Sequence, residues 1–171
     1  MDYSTKLFKM KLSFYTYILG LSICLFSCCQ NTASVNSTSD SPIYDSVSAK
    51  NYGADDYGMK QYVIAFLKVG PNRDLPKEEA QKLQMAHLQN IGKMAEEGKL
   101  AVAGPFLGTG ELRGIYIFNV ASLAEAEELT ATDPAIKAGS LVMELKEWYG
   151  SAALMAVNDI HTTLTKKAIT E

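Results

Sequence analysis

The sequence predicts one α+β domain whose elements follow the order β-α-β-β-α-β, preceded by an export signal and a tether. Three observations predict this architecture. The chain has 171 residues, enough for one globular domain, and 47% of them are hydrophobic. Four short apolar segments have the pattern of strands. Two amphipathic segments that begin with helix-capping residues lie between them, one before the second strand and one before the fourth.

Residues 1–27 predict a bacterial lipoprotein signal peptide. Three lysines precede an apolar run over residues 12–26, which is shorter than the roughly 20 residues that a membrane-spanning helix needs. The run ends in the motif LFSC, which resembles a lipobox, so we expect Cys28 to be the lipidated N-terminus of an exported protein in the cell envelope or periplasm. The alternatives are lipidation at Cys29, an uncleaved anchor, or a cleaved signal of a soluble secreted protein.

Residues 28–58 predict a flexible tether between the lipid and the domain. Ser, Thr, Asn, Asp, Ala and Gly dominate this segment, which has no apolar period. Such a composition buries too little apolar surface to offset the entropy lost on ordering. A random coil of this length reaches on the order of 30 Å, which is enough to hold a domain clear of a bilayer.

The composition argues against several functional classes. The net charge is -3, and removal of residues 1–27 takes away three lysines and one aspartate, which leaves 13 basic and 18 acidic side chains. A mildly acidic chain without a Lys/Arg cluster argues against nucleic-acid binding. All three cysteines precede residue 30, and the two histidines lack metal-ligand spacing, so we expect no metal and no cofactor.

The domain begins with a strand over residues 61–69 and a long helix. Both alternate sets of side chains in the strand are apolar, which predicts burial on two faces. Asp74 is the expected N-cap of the helix, which continues to about Glu97 and ends before Gly98. An apolar stripe at helical spacing places one histidine on the inner face, and its members are Ala80, Leu83, His87, Ile91 and Met94.

Two further strands, a second helix and a last strand complete the domain. Residues 100–106 and 112–120 predict strands joined by a glycine-rich turn. Ser122 begins a second helix, which ends before Pro134, and residues 141–148 predict the fourth strand. This order is the split βαβ, or ferredoxin-like, arrangement.

The two helices can cover only one face of the sheet, although its first and third strands are apolar on both. A second copy of the chain would cover the other face, so we predict a symmetric homodimer with sheet against sheet. The alternative cover is the C-terminal tail, residues 150–171. It has a short amphipathic stripe of Ala153, Val157, Ile160 and Leu164.

Separate motifs at consistent spacing mark residues 59–149. They are KVGPN at 68–72, HL at 87–88, EGKLAVAGPF at 97–106, GIYIF at 114–118, DPAIKAG at 133–139, and a closing strand with Glu144 and Trp148. In order and spacing these motifs resemble the YCII-related family of small ferredoxin-like proteins. The resemblance implies a dimeric α+β barrel and a histidine–aspartate active site, carried here by His87 and Asp133.

His87 and Asp133 are therefore the candidate catalytic residues. Imidazole titrates near neutral pH, which suits a general acid or base, and a carboxylate on one ring nitrogen would orient the ring and fix its tautomer. Such a pair would remove a proton from an enolic, phenolic or activated carbon acid. The alternatives are a histidine that only packs in the core and an aspartate that only caps a helix before Pro134.

Other residues are candidates for the wall of a pocket. Gly104, Pro105 and Phe106 are predicted to shape a strand end beside it, and Tyr116 and Glu144 to point toward a cavity on the dimer side, or to form a polar rim at that interface. The glycine-rich turn precedes a strand and not a helix, so it does not predict a nucleotide site. The functional hypotheses are a cofactor-free acid/base enzyme, a membrane-anchored module that binds a small ligand or assembles as a dimer, and a purely structural dimer.

Overall fold

The computed structural model describes residues 42–170. The chain divides into two units, Met1–Pro42 and Ile43–Glu171, and the second holds all the helices and strands described below. The predicted signal peptide, Cys28, Cys29 and the first part of the predicted tether lie outside the described residues. Between residues 42 and 170, no helix combines the length and the apolar character needed to span a membrane.

The described elements follow the predicted order, with one extra helix before the first strand, a short extra helix before the last strand and further helical turns at the end. They are α1 (Ser46–Tyr52), β1 (Met59–Val69), α2 (Lys77–Glu96), β2 (Leu100–Pro105), β3 (Leu112–Phe118), α3 (Leu123–Thr130), α4 (Pro134–Lys137), β4 (Leu141–Ser151), a 3-10 turn (Ala152–Ala156) and α5 (Val157–Leu164). The α+β, ferredoxin-like fold is thus confirmed. The predicted homodimer concerns a second chain and stays a prediction.

The sheet has four antiparallel strands in the order β2-β3-β1-β4. The central strand β1 pairs on both sides, and Ala65 lies opposite Tyr116 of β3 and Leu145 of β4. Successive side chains of a strand point to opposite faces, and the neighbours Tyr62 and Val63 are both wholly buried. The prediction that this strand is buried on two faces is therefore confirmed.

The face of the sheet beneath the helices carries the larger core. Apolar side chains from all four strands pack there against α2 and α3. The buried members are Val63, Ala65, Leu67, Met94, Leu100, Tyr116, Phe118, Val120 and Ala126. This is the layer in which the inner face of α2, and with it His87, is held.

The second face of the sheet is covered in part by the chain's own C-terminal tail. Leu154 and Met155 pack against a smaller core of three buried residues, which are Tyr62, Ala101 and Ile117. The tail does cover this face, but not with the stripe that the sequence suggested, since Ile160 and Leu164 are exposed. The 3-10 turn is wound more tightly than an α-helix, so a stripe drawn at α-helical spacing does not stay in phase through it.

The predicted flexible tether is wrong at its C-terminal end, where α1 forms. The side chain of Asp45 caps this helix by accepting hydrogen bonds from the backbone N–H groups of Val47 and Ser48, and Gly53 ends it with a φ of 69°. No residue of α1 is buried. Local caps, which a search for apolar periods does not detect, stabilise it.

The predicted N-cap of the long helix is also corrected. The helix begins at Lys77 after Pro76, and no side chain caps it. A residue that precedes proline is disfavoured in helical conformation, so Leu75 keeps the chain extended past Asp74. The inward position of the helical stripe does not depend on this shift, and both His87 and Met94 are buried.

Candidate functional site

The two candidate catalytic residues lie together in the layer between the sheet and the helices. His87 is 8% exposed on α2, and Asp133, which directly precedes α4, is 0% exposed. The Nδ1 atom of His87 lies 2.9 Å from Oδ1 and 2.8 Å from Oδ2 of Asp133. Packing of α2 beside α4 brings these residues within hydrogen-bond distance, as the acid/base hypothesis requires.

The carboxylate of Asp133 both caps helix α4 and bonds to His87. Its Oδ1 accepts a hydrogen bond of 2.8 Å from the backbone N–H of Ala135, which makes it the N-cap of α4, with Pro134 at the first helical position. Among residues 42–170, no lysine or arginine forms an ion pair with this buried carboxylate. Its compensation comes instead from His87 and from N–H and O–H donors. Because a carboxylate accepts hydrogen bonds, Nδ1 of His87 is assigned the proton.

Tyr116 is the third member of the cluster. Its hydroxyl oxygen lies 3.3 Å from Nε2 of His87 and 3.4 Å from Oδ2 of Asp133. Burial and the neighbouring charge of Asp133 raise the pKa of Tyr116 far above its usual value, so the phenol keeps its proton and acts as a donor. With the Nδ1 proton directed to Asp133, Nε2 is the acceptor atom of the ring.

The prediction for the orientation of Tyr116 is wrong. The sequence placed this side chain toward a cavity on the dimer side, but it lies in the core beneath the helices with Phe118. Its strand partner is Ala65, whose side chain belongs to the same core. Because β3 is apolar on both sides, alternation along the strand does not reveal which set of side chains faces the helices.

Glu144 lies on the opposite face of the sheet, away from His87. Its carboxylate pairs with Nζ of Lys146 at 2.8 Å and with Nζ of Lys68 at 2.6 Å. Hydrogen bonds and charge from Lys146 and then Lys68 lower the pKa of Glu144 to about 2. The predicted orientation toward the second face fits this position, but Glu144 does not line the cavity beside His87.

An open groove of about 1500 Å³ adjoins the cluster. Its walls come from α2, from the strands β2 and β3, and from the C-terminal residues 157–170. His87 and Tyr116 line it, as do Gly104 and Pro105. Phe106 does not, since it lies on the turn after β2 with 47% of its surface exposed, and the expectation for this residue is corrected.

The charged part of the groove wall was not predicted from the sequence. Arg73, Arg113 and two lysines of the tail line the groove. Charged residues in loops and tails usually indicate nothing more than a solvated surface, so no local pattern identified them. Only the fold shows that these separate segments border one space.

The cluster can accept or donate a proton at Nε2 of His87 while Tyr116 donates a hydrogen bond beside it. Within the part of the chain that the structure describes, no three His, Cys, Asp or Glu side chains are grouped so that they could hold a metal ion. The side chains at hand are an imidazole, a carboxylate and a phenol. They are suited to proton transfer.

Fold and site together define a small ferredoxin-like α+β protein with a buried histidine–aspartate pair beside a groove. The model of the YCII-related domain matches residues 62–149, slightly more than half of the chain. The protein therefore belongs to the YCII-related family, and the resemblance inferred from its separate motifs is confirmed. The predicted lipoprotein signal lies outside the matched residues.

Two known proteins show the extent of the similarity. Uncharacterized protein YjpA of Bacillus subtilis (strain 168) is 35% identical over 63 residues, which cover 36% of this chain and 71% of YjpA. A solved structure of 5-chloro-2-hydroxyhydroquinone dehydrochlorinase (TftG) from Burkholderia phenoliruptrix AC1100, in complex with 2,5-dihydroxybenzoquinone, is 23% identical with a TM-score of 0.40. That comparison covers 52% of this chain and 93% of the TftG chain.

Proposed function

We propose that the protein is a cofactor-free enzyme that moves a proton on a small organic molecule. The observation that carries this proposal is the wholly buried carboxylate of Asp133 on one ring nitrogen of His87, with the other nitrogen beside the Tyr116 hydroxyl at the wall of a groove. A buried acid fixed to one side of an imidazole holds the ring and its tautomer in place. The opposite nitrogen is then the reactive one.

The reaction proceeds at Nε2. The distance of 3.3 Å to the Tyr116 hydroxyl is long for a hydrogen bond from a phenol, so a substrate can replace this contact. A C–H bond next to a carbonyl breaks, its proton goes to Nε2, and its electron pair remains on the substrate as an enolate. Tyr116 donates a hydrogen bond to the enolate oxygen. The electron pair then expels a leaving group or takes the proton back at another atom, which makes the reaction an elimination or an isomerisation.

Proton abstraction can be tested before the product is known. The full-length protein is incubated in D2O with 2-oxo acids and 1,3-diketones, and NMR measures exchange at the carbon next to the carbonyl. We expect the parent protein to catalyse exchange on at least one of these classes and His87→Gln to lose about 100-fold or more of that rate. The control is Met85→Gln, which changes an exposed residue of the same helix outside the groove. Equal rates in parent and His87→Gln contradict the proposal.

A second candidate function is a non-catalytic module that binds a small ligand. It is favoured by the fact that both ring nitrogens of His87 already have partners, as they do in a histidine that only packs in a core. A metabolite screen by thermal shift separates the two functions. Ligands that stabilise the parent and His87→Gln equally, without any exchange in D2O, support the binding module.

We further propose that the protein is anchored in the cell envelope by a lipid on Cys28 and that it forms a homodimer through the second face of the sheet. The lipobox-like motif supports the anchor. Exposed Val142 and Trp148 on that face support the dimer. To test the anchor, labelling with radioactive palmitate should be lost in Cys28→Ser and kept in Cys29→Ser. To test the dimer, analytical ultracentrifugation should show a dimer that the substitution Val142→Asp weakens.

A further inference from the structure

We propose that the groove beside His87 is a binding site for a small organic anion, a carboxylate or a phenolate. This inference deepens the proposed function, since the anion would be the class of substrate on which His87 acts. The charge of the groove is the first observation. Its charged lining includes one carboxylate, that of Glu96, and five cations, which are Arg73, Lys93, Arg113, Lys166 and Lys167. The whole chain has a net charge of -3, so positive charge is concentrated at this space.

Backbone carbonyl groups, and not carboxylates, hold the two arginine side chains in place. Nη1 of Arg73 donates to the backbone carbonyl of Ser140 at 3.1 Å. Nη1 of Arg113 donates to the carbonyls of Gly108 and Gly110 at 3.3 and 3.4 Å. Among residues 42–170, neither guanidinium forms an ion pair with a carboxylate. Each retains donors in the planar arrangement that matches a carboxylate.

The strand register brings both arginines to one end of the sheet. The backbone N–H of Val69, at the end of β1, donates to the carbonyl of Glu111, just before β3 begins. Arg73 follows β1 and Arg113 lies at the start of β3, so the two segments are neighbours. Arg113 and Tyr116 are three residues apart, so their side chains leave β3 on opposite faces, and both nevertheless line the groove.

The C-terminal tail supplies two further cations that form no ion pair within residues 42–170. Lys166 and Lys167 follow α5 and line the side of the groove formed by the tail. They lie beyond residue 149, where the match to the YCII-related domain ends. The anion would therefore lie between arginines of the domain and lysines of a segment outside it, in the groove that His87 also lines.

The test uses benzoate and benzamide, which have nearly the same shape and differ in charge. Binding to the full-length protein in a nonionic detergent is followed by NMR titration. We expect benzoate to bind about tenfold more tightly than benzamide or better, and Arg73→Gln or Arg113→Gln to remove most of that difference. Raising the salt from about 50 mM to 500 mM should weaken benzoate alone.

Matched variants keep this test decisive. Lys82→Gln removes one positive charge from an exposed position of α2 outside the groove and should leave benzoate affinity within about twofold. Arg113→Lys keeps the charge and should retain part of the preference, which also shows that loss in Arg113→Gln does not come from misfolding. Equal affinity for both probes, no saturable benzoate binding, or identical effects of Arg113→Gln and Lys82→Gln would each overturn the anion site.

Failure of this inference is distinguishable from failure of the proposed enzyme. His87→Gln should keep its preference for benzoate, because the anion contacts do not include the imidazole. Charge-selective binding without any exchange in D2O overturns the enzyme and supports the anion site. Exchange that depends on His87 but not on either arginine supports the enzyme and overturns the anion site.

Discussion

Replacement of Asp133 tests whether one buried carboxylate stabilises both the fold and the imidazole. Asp133→Asn keeps an oxygen that can accept the 2.8 Å bond from Ala135 N–H, but it loses the charge-assisted bond to His87. Asparagine is as good an N-cap as aspartate, so the loss should be that of one hydrogen bond to a charged group, about 2 kcal/mol. Asp133→Ala also removes the cap and leaves two buried donors without partners, so we expect about 4 kcal/mol.

Urea unfolding of the full-length protein, followed by circular dichroism, measures both losses at pH 7. The matched control is Asp74→Ala. The sequence suggests Asp74 as a helix cap, but no side chain caps α2, so its loss should cost less than about 0.5 kcal/mol. A cost below about 1 kcal/mol for Asp133→Ala, or equal costs for the two Asp133 variants, would refute the reasoning.

Three further predictions concern the cluster, the second face and the backbone. Tyr116→Phe should cost only about 1 kcal/mol of unfolding free energy, because its hydroxyl contacts are 3.3 and 3.4 Å long, but should slow exchange in D2O at least about tenfold; an unchanged rate removes Tyr116 from the mechanism. The folded pKa of Glu144 is lowered to about 2 from 4.5, so its two ion pairs contribute fully above pH 4.5 and are lost as the pH falls through 2. The difference in urea midpoint between parent and Glu144→Gln should therefore shrink from pH 5 to pH 2, and a constant difference contradicts this. A Cβ on Gly70 would lie 2.2 Å from the carbonyl oxygen of Gly139, so Gly70→Ala should lower the free energy of unfolding by more than about 2 kcal/mol. Gly92→Ala, in open space within α2, should raise it by about 0.5 kcal/mol in the same urea assay. Similar effects of the two substitutions would be inconsistent with the packing.

Much of the fold was predictable because the sequence patterns are local and consistent. Residues 62–67 are apolar in both alternate sets, and β1 is indeed buried on both faces of the sheet. The stripe of α2 correctly predicts that His87 faces inward. These patterns follow directly from the geometry of strands and helices, so no knowledge of distant contacts was needed.

The parts that could not be predicted depend on contacts between distant segments or on local caps. Tyr116 lies on a strand that is apolar on both sides, so its face is decided by the register with β1. Helix α1 depends on the cap at Asp45 and not on an apolar face. The groove gathers Arg73, Arg113 and the tail from three separate segments, and a pattern within any one of them is only that of a polar surface.

The tail wall of the groove has a consequence for ligand access. Helix α5 contains no buried residue, and Asn158 ties it to the sheet by a hydrogen bond of 2.8 Å to the carbonyl of Leu100. A segment held by so little buried surface opens locally, at a free energy well below that of global unfolding. The side of the groove formed by the tail is therefore less stable than the side formed by α2, β2 and β3. We expect opening of the tail to change the size of molecule that reaches His87, while Tyr116 stays in the core of the sheet.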